Sequence, residues 1–109
     1  MDERRVNGWK NYPTWCVNLW LDNDEPTYNE KRLLIAQAIK YATDWDEDEN
    51  DVVDKDVAIR ALEESLKAFV NESMVPEVEG FAQDMLSYAL DSVDFYELAE
   101  NYVSNEVTS

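Results

Sequence analysis

The chain has 109 residues, 45% of them hydrophobic and 12% aromatic, and carries 25 acidic side chains against 9 basic ones, with no histidine and one cysteine. That length makes one domain burying roughly two-thirds of its extended surface, and so many aromatic residues exclude a disordered acidic tail. Without histidine there is no Ser-His or Cys-His catalysis and no histidine-bound zinc or iron, and the lone Cys16 cannot close an intramolecular disulfide.

Glycine occurs only at Gly8 and Gly80 and the three prolines are well separated, which favours helices with short connections over hairpins. The pattern predicts an all-α, single-domain bundle of five short helices. The first spans residues 12–21, with Asn11 as N-cap and Pro13 in its first turn, where a missing N–H does no harm. Its Tyr12, Trp15, Cys16, Leu19 and Trp20 follow helical spacing and form one apolar stripe. Tryptophans at such spacing pack, so Tyr12, Trp15, Leu19 and Trp20 are expected in the structural core. The competing role, an aromatic platform for bases, is disfavoured by a net charge of -16.

After a turn at residues 22–26, Thr27 and Glu30 have capping-box spacing and open a second helix to residue 42, with Leu34, Ile35, Ala38, Ile39 and Tyr41 inward. A third helix over residues 55–71, capped by Asp54, buries Ile59, Leu62, Leu66, Phe69 and Val70. Pro76 starts a fourth to residue 91, burying Val78, Phe81, Ala82, Met85 and Ala89. Ser92 caps a fifth over residues 93–103, burying Tyr96, Ala99, Tyr102 and Val103. Within the one domain, residues 1–43 are charge-neutral and aromatic-rich, 44–56 are an acidic connection, 57–103 an acidic helical part and 104–109 a frayed tail. No apolar run approaches the ~20 residues of a membrane span, and the opening lacks a signal-peptide core. The expected location is the cytoplasm, and the Asn71-Glu72-Ser73 glycosylation triplet is accidental.

The run Asn11-Tyr12-Pro13-Thr14-Trp15-Cys16-Val17-Asn18-Leu19-Trp20-Leu21-Asp22-Asn23 resembles the opening of a family of small proteins of unknown function found in bacteriophages, plasmids and archaeal mobile elements. Its pattern is Asn-Tyr-x-Thr-Trp-x-Val-x-Leu-Trp-x-x-Asn. Asn11, Tyr12, Thr14, Trp15, Val17, Leu19, Trp20 and Asn23 match, while Pro13 replaces a more usual acid. Val93-Asp94-Phe95-Tyr96-Glu97-Leu98-Ala99 is similar to the family's closing Val-Asn/Asp-Trp-x-Glu-Ile-Ala segment, with Phe95 for Trp. The resemblance implies a mobile-element context and supplies no activity.

The acidic connection invites a calcium-loop reading. From Asp46, positions 1, 3 and 5 are Asp46, Asp48 and Asn50, but position 6 is Asp51 instead of glycine and position 12 is Val57 instead of glutamate. From Asp44, those two positions hold Glu49 and Lys55. Both registers fail where the site is decided, so no metal is expected. No glycine-rich phosphate cradle, nucleophile elbow or lysine cofactor setting occurs, and with 25 acids some carboxylate pairs fall at glycosidase spacing by chance. Neither catalytic residues nor a cofactor is expected.

Residues 1–43 hold six acids and six bases, whereas residues 44–109 hold 19 acids and only Lys55, Arg60 and Lys67, so the whole excess is downstream. Such a field repels nucleic acid and anionic membrane and attracts a basic surface. The expected partner is a basic nucleic-acid-binding protein of the host. The first hypothesis is a DNA mimic that blocks a restriction or CRISPR nuclease. Its partner-binding surface would be Asp44, Asp46, Glu47, Asp48, Glu49, Asp51, Asp54 and Asp56, extended by Glu63, Glu64, Glu72, Glu77, Glu79, Asp84, Asp91 and Asp94. A globule of this length has a radius of gyration of ~13 Å and spans about one turn of B-DNA, with roughly 20 phosphates. The second hypothesis is an acidic adaptor or structural domain of a halophilic organism or virus, against which the neutral first 43 residues stand. A homodimer through the aromatic face stays open.

Overall fold

Three of the helices begin on a side chain that satisfies an N–H group of the first turn, which has no partner within the helix. The computed structural model describes residues 6–45 and 54–107. Asn11 caps α1, Tyr12–Asn23, by accepting from the Thr14 N–H at 2.9 Å, with Pro13 in the first turn. Asp54 caps α3, Lys55–Phe69, and Asp94 caps α5, Phe95–Glu106, accepting from the N–H groups of Val57 and Glu97. Between them lie α2, Glu25–Trp45, a π-helical turn, Val70–Met74, and α4, Phe81–Asp91. The fold is all-α; Val6 and Trp9 add an isolated antiparallel bridge before α1. No helix among the described residues is long and apolar enough to cross a membrane.

Helix α3 is the centre, packed on α2 and α5, with α1 against α2. Its Ala58, Ile59, Leu62 and Leu66 meet Ile35, Ala38 and Ala42 of α2 and Phe95, Leu98, Ala99, Tyr102 and Val103 of α5, with Val17 and Leu21 of α1 completing the core. The heart of this core is the face that periodicity predicts for α3. Helix α4 has no buried residue. The radius of gyration is 15.3 Å and the extents are 53 × 36 × 22 Å, longer and flatter than the expected globule.

The aromatic stripe of α1 is not core. Tyr12 is 60% and Trp20 57% exposed, Leu19 is exposed, and Trp15 is half-buried. The face of α1 that enters the core is Thr14, Val17 and Leu21, almost half a turn away on the opposite side of the helix. Thr14 can go inward because both functions of its hydroxyl are satisfied: it donates to Asn11 Oδ1 at 2.6 Å and accepts from the Asp94 N–H at 2.9 Å. With that face taken, the bulky aromatics are left to the rim. Trp9 packs partly buried against the core, edge-on to Tyr102 at 6.5 Å between centroids.

Other boundaries move for equally local reasons. Helix α2 starts at Glu25, two residues before Thr27, because the Thr27 hydroxyl donates to the Trp20 and Asp24 carbonyls instead of capping. Tyr41 is exposed and Ala42 fills its place inside. Helix α4 starts at Phe81, not at Pro76, after Gly80 at φ 69, a left-handed conformation that glycine adopts without a Cβ penalty. Phe81 and Met85, expected inside, are exposed, as is Ala82, while Val78 and Ala89 are half-buried. Asp94 rather than Ser92 caps α5, and Phe95 and Leu98 are buried where Tyr96 is exposed. Helix α5 continues through residues 104–106 of the expected frayed tail.

Candidate interaction surface

The two segments that carry the family resemblance meet in space. Asn11 holds the Thr14 hydroxyl and amide through Oδ1 and donates from Nδ2 to the Ser92 carbonyl at 2.7 Å. Thr14 accepts from the Asp94 amide, the Lys10 amide donates to Glu97 Oε1 at 2.9 Å, and Lys10 Nζ stands 3.6 Å from Asp94 Oδ2. The start of α1 is therefore clasped to the start of α5. Asn11, Thr14, Asp94 and Glu97 serve architecture here, which explains why those residue types stand at both ends of the chain.

A second polar cluster sits on the inner face of α2. Lys31 is buried, pairs with Asp22, and lies over the rings of Tyr102 and Tyr28, 4.6 and 5.2 Å from their centroids. The Tyr102 hydroxyl donates to Asn18 Oδ1 at 2.6 Å. Burial, reinforced by the Asp22 charge, pushes the Tyr102 phenol far above its ordinary value. A lysine held by a carboxylate and two ring faces joins α1, α2 and α5. Sequence reasoning missed this cluster, although Lys31 falls one turn before Ile35 on the face predicted to point inward.

The chain's own carboxylates take up many of its bases. Lys10 faces Asp94, Lys31 faces Asp22, Arg32 Nη1 reaches Glu106 Oε1 at 2.7 Å and Arg60 Nε reaches Asp56 Oδ2 at 3.0 Å. The Arg32 hydrogen bond holds the Glu106 carboxyl below its usual range. Of the sixteen predicted surface acids, Glu64 on α3, Glu72 in the π-helical turn, Glu77 and Glu79 on the following segment, and Asp84 and Asp91 on α4 are all exposed. Three others have local structural partners: Asp54 and Asp94 are caps and Asp56 pairs with Arg60. Half-buried Glu63 lines a polar cleft of about 500 Å³ with Lys10, Lys67, Asp91 and Asp94. Asp44 lies in the last turn of α2, and Asp46, Glu47, Asp48, Glu49 and Asp51, with most of the calcium-loop registers, lie outside the described residues. Among the described residues no group of three or more Cys, Asp or Glu side chains is placed to hold a metal ion.

An apolar groove of about 570 Å³ separates α4 from the body of the protein, with Trp20, Met74, Leu86 and Leu90 among its walls. The exposed Trp20 of the opening motif thus borders a groove instead of filling the core.

A family described as a family of unknown function (DUF7249) matches residues 2–108. The chain belongs to that family. No curated protein and no solved structure matches it.

Proposed function

We propose that this family member is a non-enzymatic interaction protein of a mobile element, a DNA mimic whose carboxylates occupy the nucleic-acid-binding surface of a host defence protein such as a restriction or CRISPR nuclease. The observation that carries this reading is the segregation of charge. Lys10, Lys31, Arg32 and Arg60 each face a carboxylate of the chain itself. From Glu64 to Asp91 six exposed acids run along α3, the π-helical turn, the segment after it and α4, with Lys67 the one base in that stretch. A surface of one sign favours encounter with a cationic patch. The 53 Å long axis is the length of about 15 base pairs of B-DNA at ~3.4 Å per step, so the net charge of -16 is about half the phosphate count of an equal length of duplex. The mobile-element setting comes from the resemblance of residues 11–23 and 93–99. The other reading, an acidic coat suited to high salt, has the neutral residues 1–43 against it.

The test is capture from host lysate on the immobilised protein, at low and at high salt, followed by elution with duplex DNA. The expected result is a nucleic-acid-binding nuclease that DNA displaces. Changing Glu64, Glu72, Glu77, Glu79, Asp84 and Asp91 together to Gln or Asn should slow association with it by about an order of magnitude, because the loss falls on electrostatic steering. A complex that forms equally well with that variant, or in high salt with DNA present, would refute the mimic.

A further inference from the structure

Helix α4 is amphipathic, yet its apolar arc is only half covered. At ~100° per residue, Leu86 and Leu90 turn toward the body and are half-buried beside the groove that Trp20 borders. Phe81, Met85 and Tyr88, spaced i, i+4 and i+7, form a separate stripe and are 80, 55 and 75% exposed. A contiguous stripe of three large apolar side chains on one helix turn after another is the usual form of a helix-docking face. We propose that this stripe is the contact face for a cationic amphipathic helix of a partner protein, apolar on one side and flanked by Lys or Arg.

Charge decides the occupant. Asp84 and Asp91 run along one flank of the stripe, Glu77 and Glu79 lead into it, and no base occurs anywhere after Lys67. A second copy of this chain would bring the same carboxylates face to face with no cation between them. An anionic membrane would be repelled in the same way. A helix with basic flanks satisfies both parts of the surface, since its apolar side covers Phe81, Met85 and Tyr88 while its cations meet the acids. The inference rests on the reading that the partner is basic, and adds to it an apolar anchor that phosphate mimicry does not require.

The probe is a synthetic helical peptide of leucine and lysine alone, with leucines at i, i+3, i+4 and i+7, compared with oligolysine of the same charge. Binding is measured by calorimetry, and its site by amide shifts of the labelled full chain. The variant is Phe81→Ala, Met85→Ala and Tyr88→Ala together, which keeps good helix formers at exposed positions; an unchanged melting temperature verifies the fold. The leucine-lysine peptide should bind the parent about tenfold or more tightly than the triple variant, as expected when the central apolar anchors of an interface are truncated, with amide shifts on α4. Oligolysine should not distinguish the two proteins. Equal binding of the peptide to both would overturn the inference and leave the charge-based mimic standing. A parent that sediments as a dimer lost in the triple variant would assign the stripe to a second copy, and uptake onto neutral phosphatidylcholine vesicles abolished by the same changes would assign it to a lipid surface; either result overturns the proposal. Conversely, a captured partner that binds the acid-to-amide variant as fast as the parent refutes the mimic, while the leucine-lysine peptide can still dock on the stripe of the parent.

Discussion

Thr14 shows how one hydroxyl can outweigh three aromatic rings. Because the buried Thr14 donates to Asn11 and accepts from Asp94, Thr14→Val keeps the volume but leaves the Asp94 N–H without its acceptor, a loss of about 1–3 kcal/mol in urea unfolding. Leu21→Ala, at a site with no exposure, should cost about 2–5 kcal/mol. Trp20→Ala should cost up to about 2 kcal/mol, because more than half of the residue is already in water; if Trp20→Ala proves the costlier of the two, the orientation of α1 is wrong. Tyr102 adds a pH dependence. Its phenol is raised by burial first and by Asp22 second, so the folded state keeps a proton that the unfolded state releases above the ordinary tyrosine value of about 10. Stability is therefore undiminished by this group below about pH 10 and falls as pH rises beyond it. Tyr102→Phe should flatten that alkaline decline, while costing about 1 kcal/mol at neutral pH through the lost bond to Asn18. A variant that declines as steeply as the parent above pH 10 would show that another group governs alkaline unfolding.

At the scale of elements, the contrast between α3 and α4 separates what periodicity can tell from what it cannot. Both have apolar residues at helical spacing, but α3 buries Ala58, Ile59, Leu62 and Leu66 between two neighbours whereas α4 buries nothing. The expected consequence is hydrogen exchange at α4 amides faster than at α3 and α5, because local opening there exposes little new surface. Protection of α4 equal to that of α3 would mean that something covers it in solution. Five helices and the faces of α3 were legible because repeated apolar spacing marks each of them, and at α1 and α3 the caps Asn11 and Asp54 mark the start as well. The inward face of α1 was not, since it depends on a threonine bonded to a residue eighty positions away, which no local pattern contains. Ser92 and Asp94 are both competent caps, and only the clasp to Lys10 and Thr14 selects Asp94. The candidate surface was legible as an excess of charge and, at Asp54, as a cap; that Asp56 and Asp94 serve a pair and a cap while Glu77 and Glu79 stand exposed is a result of folding.

For the whole molecule the governing quantity is the net charge of -16, and its sign makes two opposite predictions over one salt range. Within the folded chain, like charges gathered on α3, the π-helical turn and α4 repel one another, so ions should stabilise it by screening. Between this chain and a cationic partner the charges attract, so the same ions should weaken the complex. Screening acts at ~10 Å in 0.1 M salt and at ~3 Å in 1 M, which confines both effects to the range from about 10 mM to about 0.5 M. Urea midpoints should rise across that range and then level off, equally in sodium chloride and choline chloride, while the association rate with the captured partner falls. A chain adapted to brine behaves otherwise: its acidic coat is built for molar potassium chloride, and its folding should depend on that salt. If the protein is unfolded below about 1 M potassium chloride, beyond the range where screening still changes, the acidity belongs to the solvent and the mimic loses its support. If it is folded and cooperative at 10 mM, with its midpoint rising only modestly, the excess charge is not needed for solvation and is left to act on a partner.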